Sequence, residues 1–182
     1  IFGNLGAPIG AQQWLEFGVF GAAGLLMGLL GTVAVASHQV ALQLAALTFM
    51  IPVGVAQATS VVVGQAVGRE DPFAARRAVG AGVLTVTGFM SLTAAMFLLL
   101  PEPLARLFST DTDVVVAASA LLPIAGVFQI FDGLQVAGAG ALRGVGDTKV
   151  PMLLNLVGFW MIGLPTCAWL AFGAMIALVP LL

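Results

Sequence analysis

Between Glu16 and Arg69 the chain carries no Asp, Glu, Lys or Arg. Crossing a hydrocarbon core about 30 Å thick takes roughly 20 apolar residues per helix, so a stretch this long reads as membrane-spanning. The same texture continues downstream: 60% of the 182 residues are hydrophobic and 8% are charged, against roughly 25% charged in soluble domains. Mean hydropathy is +1.12. Strand alternation is absent and the runs are too long for barrel strands, so the pattern predicts helices.

The expected spans lie at about 8–30, 36–67, 74–100, 114–142 and 150–172, with a partial run at 174–182. The fold expected is an all-α membrane protein, a polytopic bundle of about five complete transmembrane helices plus the start of a sixth. The chain starts at Ile1 without a methionine and ends inside a new apolar run, so it reads as a piece of something longer. No charged segment with a small-residue cleavage site precedes the first span, and no secretory signal peptide is expected. Cys167, the sole cysteine, reads as an apolar filler.

Most of the charge lies in the connections, so the formal net charge of -2 says little about partners. Its distribution says more. Arg69, Arg76 and Arg77 fall in GREDPFAARR, and Arg143 and Lys149 in RGVGDTK; the opposite side has Arg106 among Glu102, Asp111 and Asp113. The positive-inside rule places the basic side in the cytoplasm, and the first span then runs from inside to outside.

Asp132 is the first functional candidate. A charge at the centre of a spanning helix costs on the order of 2.5 to 3.5 kcal/mol on insertion scales, so an acid there is uncommon unless something uses it. Phe128, Gln129, Gln135 and Val136 share its helical face, and the glutamines extend the acid into a polar stripe. Glu16 is the other acid in an apolar run, with Gln12, Gln13 and Phe20 at helical spacing. Glu16 lies about 12 Å from Pro8 and Asp132 about 16 Å from Arg143 along their helices, which predicts similar depth from the cytoplasmic side and a shared pocket if the helices are neighbours. A carboxyl group in a poorly solvated cavity takes a proton near neutral pH and releases it when a cation or bulk water arrives, as an ion-coupled carrier requires. The plainer reading is a buried hydrogen-bonding group that fixes packing.

Other features read more blandly. His38, beside Gln39 and Gln43, lacks metal-ligand spacing and reads as an interfacial residue. Phe128, Phe131, Phe159 and Trp160 offer an aromatic wall for an organic cation, or else face the bilayer. Gly6/Gly10, Gly24/Gly28, Gly64/Gly68 and Gly140/Gly144 have the spacing of close helix packing. Pro52, Pro123 and Pro165 predict breaks or kinks inside spans. Gly144, Gly146 and Asp147 spell the GxGD of intramembrane aspartyl proteases, but Asp147 sits in a charged connection about 22 Å along the helix from Asp132, too far to share a water. Nothing else pairs a nucleophile with a base, forms a phosphate loop or offers a nucleic-acid surface. No enzyme activity, cofactor or nucleic-acid partner is expected.

GAPIGAQQWLEFGVF (6–20), VASHQVALQLAALTFMIPVGVAQATSVVVGQAVG (35–68), FQIFDGLQVAGAGALRG (128–144) and FWMIGLP (159–165) together resemble the C-terminal lobe of the multidrug and toxic compound extrusion (MATE) family, in its NorM-like branch. The resemblance implies two pseudo-symmetric bundles around a central cavity in the bacterial inner membrane, exporting cationic or amphipathic compounds against H+ or Na+. It makes this chain one lobe, incomplete, whose partners would be membrane lipid, organic cation substrates and a missing N-terminal lobe. By the same resemblance Glu16 and Asp132 match acids implicated in binding the coupling cation, a sodium ion included. Gln12, Phe128, Gln129 and Gln135 complete the expected ion-coupling and substrate set. A tyrosine of the family is replaced by Phe128, which removes a hydroxyl ligand for Na+ and leaves proton coupling at least as favoured. Two other readings stand beside this one: a lipid-linked oligosaccharide flippase, which should carry arginines or lysines inside its spans, and a structural membrane subunit, which should tolerate Leu at both acids.

Overall fold

A computed structural model describes residues 2–29 and 31–163. They form α1 (Phe2–Gly28), α2 (Thr32–Gly68), α3 (Pro72–Leu99), α4 (Pro101–Arg106), α5 (Thr112–Gly144), α6 (Lys149–Asn155) and a π-helical segment, Leu156–Gly163. No strand occurs among the described residues. The chain is an all-α membrane protein, and α2, α3 and α5 are each long and apolar enough to cross a membrane. The later part of the fifth expected span, the run at 174–182, Pro165 and Cys167 lie outside the described residues.

The helices stop and start where backbone chemistry dictates. At the end of α2 the N–H of Asp71 bonds the Ala66 carbonyl at 3.0 Å and that of Glu70 the Val67 carbonyl at 3.0 Å. This paired closure needs a left-handed residue, and Glu70 supplies it with φ 57. Asp71 then caps α3, its Oδ1 accepting from the N–H groups of Phe73 and Ala74 at 3.1 and 2.9 Å, with Pro72 entering at the first helical position. The GxGD stretch is the same device. Asp147 N–H bonds Leu142 O at 2.9 Å, Gly146 N–H bonds Arg143 O at 3.0 Å, and Gly146 has φ 85. Its glycine and aspartate are a helix stop.

One connection is more ordered than its sequence promised. PEPLAR was read as loop and forms α4, with Pro101 in its first turn, Glu102 near its positive end and Arg106 in its last turn. Arg106 closes the turn with an ion pair to Glu102 at 2.7 Å. Conversely, helix runs unbroken through Pro52 in α2 and Pro123 in α5. The departure from α geometry is instead the π segment after Asn155.

The chain divides into two compact units, Ile1–His38 with Thr148–Leu182 and Gln39–Asp147. In the first, α1 packs on α6 and on the π segment. Trp160 donates its indole N–H to the Leu15 carbonyl at 2.9 Å, and its ring lies over Gly18.

In the second unit α5 is flanked by α2 and α3. Gln129 bonds Ala45, 84 residues earlier, and the same offset relates Gly140 to Ala56 and Gly144 to Ser60, so α2 and α5 run parallel in one register. α3 runs against both, with Gly126 of α5 at Ala94, Gly133 at Met90 and Val86, and Gly82 of α3 against Thr59. Val86, Met90 and Ala137 are buried at the centre, packed by Phe49, Val55, Val83 and Phe89. Hydroxyls of Thr48, Thr59, Thr85 and Thr93 donate back to carbonyls of their own helices, as a chain without water nearby requires. This topology brings Arg69, Arg76, Arg77 and Arg143 to one end of the unit and Glu102, Arg106, Asp111 and Asp113 to the other.

Small residues set the spacing. A methyl built on Gly140 would sit 2.5 Å from the Ala56 carbonyl oxygen, and one on Gly144 2.8 Å from that of Ser60. Gly64 lies opposite Gly144. The packing reading of Gly140/Gly144 and Gly64 therefore holds. Gly6/Gly10, Gly24/Gly28 and Gly68 find no such neighbour within 4 Å among the described residues.

Candidate functional site

Asp132 sits two-thirds of the way along α5, with only 8% of its surface exposed. Two contacts fix the backbone around it. Three residues earlier, Gln129 is 2% exposed and donates its side-chain amide N–H to the Ala45 carbonyl at 2.9 Å and to the Thr48 hydroxyl at 2.7 Å. One residue later, Gly133 lets α3 approach so closely that a methyl there would sit 2.7 Å from Met90 Cγ and 3.1 Å from Val86 Cγ1. The acid is thus carried between a hydrogen-bonded tie to α2 and a side-chain-free contact with α3.

The α2 tie falls one turn before Pro52, itself buried. Proline has no N–H to offer the carbonyl four residues back, which is Thr48, and its ring crowds that carbonyl. A neighbouring helix and a threonine hydroxyl are the usual means by which a membrane helix tolerates such a gap. Here Gln129 reaches the Ala45 carbonyl and the Thr48 hydroxyl, and that hydroxyl donates to the Leu44 and Ala45 carbonyls, so side chains tie the turn before the proline. The Gln129 oxygen is buried without a hydrogen-bond partner among the described residues, leaving an acceptor one turn from Asp132.

The expected polar stripe on α5 is therefore divided. Gln129 faces α2, Asp132 is buried beside it, Gln135 is half-buried, and Phe128 is exposed. Phe131 is also exposed, whereas Trp160 is engaged with α1; the Phe159 side chain lies outside the described residues. In the other unit Gln12 is buried on α1. Glu16 lies on the same helix, and its side chain, with those of Gln13 and Phe20, is outside the described residues.

His38 is half-buried on α2, and its Nε2 has no partner among the described residues. No group of three or more His, Cys, Asp or Glu among the described residues is placed to hold a metal ion. An open groove lined by Gln43, Ala46, Leu47, Met50 and Phe108 contains no ionisable side chain. Sequence reasoning missed Gly82, Gly126 and Gly133, the close contacts of α3 with α2 and α5, of which Gly133 adjoins the acid. The spacing of seven from Gly126 to Gly133 to Gly140 was the available signal.

A family model described as MatE matches residues 8–169. The "Probable multidrug resistance protein NorM" of Xanthomonas axonopodis pv. citri is 48% identical over 160 residues, covering 88% of this chain and 35% of that protein. The protein of the same description from Xylella fastidiosa (strain Temecula1) is 44% identical over 169 residues, 93% of this chain and 36% of its own length. The "Multidrug resistance protein NorM" of Burkholderia vietnamiensis is 42% identical over 176 residues, 94% of this chain and 38% of that one. The chain thus spans little more than a third of the length of these curated relatives. With the family model matching residues 8–169 and relatives this similar along most of its length, the chain belongs to the MatE family of multidrug and toxic compound extrusion transporters, on its NorM-like side.

Proposed function

We propose that this chain is one lobe of a secondary active multidrug exporter, antiporting cationic or amphipathic compounds against H+ or Na+ across the bacterial inner membrane. The basic end of its helices faces the cytoplasm in this reading. The observation that carries it is Asp132, a carboxylate 8% exposed inside an apolar helix and positioned from both sides by Gln129 and Gly133. An acid kept there at the cost of burial is suited to exchange a proton or a cation as the surroundings change. Glu16 on α1 is the second acid of this proposal, and Gln12, Phe128, Gln129 and Gln135 complete its set of ion- and substrate-binding residues. Binding of the ion shifts the lobe between two packings and substrate leaves in one of them. The names of the relatives support multidrug export. The arginines of α3 and α5 fall in the first turns of one and the last turn of the other, which disfavours the flippase reading.

The test is ethidium efflux by the complete protein that carries this chain, in cells and in vesicles with imposed H+ or Na+ gradients. Asp132→Asn and Glu16→Gln should each abolish gradient-driven efflux while leaving the protein in the membrane. Unaltered efflux with unaltered ion dependence in both variants refutes the proposal.

A further inference from the structure

We infer that the start of α3 is a binding site for an anionic phospholipid. Phe73, Arg76, Arg77, Gly80 and Leu84 are all exposed and stand at helical spacing, so they share one outward face of α3. The head of this face is basic and the rest is apolar. Among the described residues neither Arg76 nor Arg77 has an ion-pair partner, and the Arg77 guanidinium stands 6.0 Å from the Phe73 ring centre. Arg69, exposed across the connection, donates to the Gln65 carbonyl of its own helix. At the opposite end of the unit Arg106 is neutralised by Glu102.

The charges facing this patch from α2 and the connection are Glu70 and Asp71. The Asp71 carboxylate is occupied by two backbone N–H groups, so the α3 N-terminus is already capped and anion recognition falls to the guanidiniums. Glu70 and Asp71 together stand against three arginines, which leaves the patch one charge positive.

Below the arginines the same face suits an acyl chain. Gly80 has nothing within 4 Å of where a side chain would begin, so the helix backbone there is bare and open to an acyl chain. Leu84, 76% exposed, follows one turn further, and Leu92 continues the apolar surface. From Arg77 to Leu84 is about 10 Å along the helix, the separation of a phosphodiester from the upper part of its hydrocarbon chains. Phe73, 69% exposed at the helix entrance, sits at headgroup level. A phosphodiester on Arg76 and Arg77 with a chain along the bare backbone at Gly80 satisfies charge and apolar surface together, which free phosphate does not.

The experiment places the complete protein bearing this chain in phosphatidylcholine nanodiscs and measures, by electron paramagnetic resonance, retention of spin-labelled phosphatidylglycerol against spin-labelled phosphatidylcholine. A basic residue near an anionic headgroup is worth about fivefold in partition, so wild type should favour phosphatidylglycerol several-fold and Arg76→Gln with Arg77→Gln should bring the ratio close to one. Arg76→Lys with Arg77→Lys should retain most of the preference. Gly80→Leu, at a position with open space, should weaken retention by holding the chain away from the backbone. An unchanged ratio in the glutamine pair overturns the inference. So does an equal loss on Arg106→Gln, which would indicate general surface charge, or displacement of the lipid by inorganic phosphate but not by chloride at the same ionic strength. Ethidium efflux is not the readout, so this result stands apart from the antiport reading.

Discussion

Gln129 of α5 donates its amide N–H to the Thr48 hydroxyl of α2 at 2.7 Å, joining two helices one turn before the proline of α2. Hydrogen bonds between membrane helices contribute on average about 0.6 kcal/mol and rarely more than about 1.7, because the separated helices also find partners. A double-mutant cycle with Gln129→Leu and Thr48→Val should give a coupling energy of about 0.5–2 kcal/mol in thermal unfolding in detergent. Strict additivity of the two changes would remove this bond from the account of how Asp132 is positioned.

Gly140 and Gly138 lie two residues apart on α5 and should behave oppositely. Gly140→Ala drives a methyl onto the Ala56 backbone, where no flexible side chain can yield, and should destabilise by about 1–3 kcal/mol. Gly138 has nothing within 4 Å, so Gly138→Ala should be neutral or stabilise by up to about 1 kcal/mol through helix propensity. Melting temperatures of the two variants side by side check the contrast.

The α2–α3 connection offers a stabilising substitution. Glu70 holds a left-handed conformation, φ 57, that costs a residue with a Cβ roughly 1 kcal/mol relative to glycine. Glu70→Gly should recover part of that. Asp71→Ala next to it should lose about 1 kcal/mol with the cap of α3. Chemical denaturation of both variants, read by circular dichroism, gives the two signs.

Much of this architecture was legible because bilayers are strict about chemistry. The charge-free stretch after Glu16 announced membrane helices, and the cost of one acid in α5 singled out Asp132, which is buried. Gly140/Gly144 announced a close contact and makes one. What failed to show was direction. Spacing placed Gln129 and Gln135 on one stripe with the acid, but a wheel of one helix does not say where the neighbouring helices stand, and Gln129 turned to a partner 84 residues away. Glycines were sought at intervals of four, so Gly126 and Gly133 at an interval of seven went unread. α4 was hidden because six residues are too few for periodicity; the Glu102 and Arg106 pair, four apart, was the cue.

The seam between α2 and α5 has one allowed alignment. Turning α5 by one residue as it advances along α2 would set Ala139 or Ala141 where Gly140 now meets bare main chain, and a methyl has no room there. That seam resists a turn of α5 against α2, and the two helices are held there as a pair.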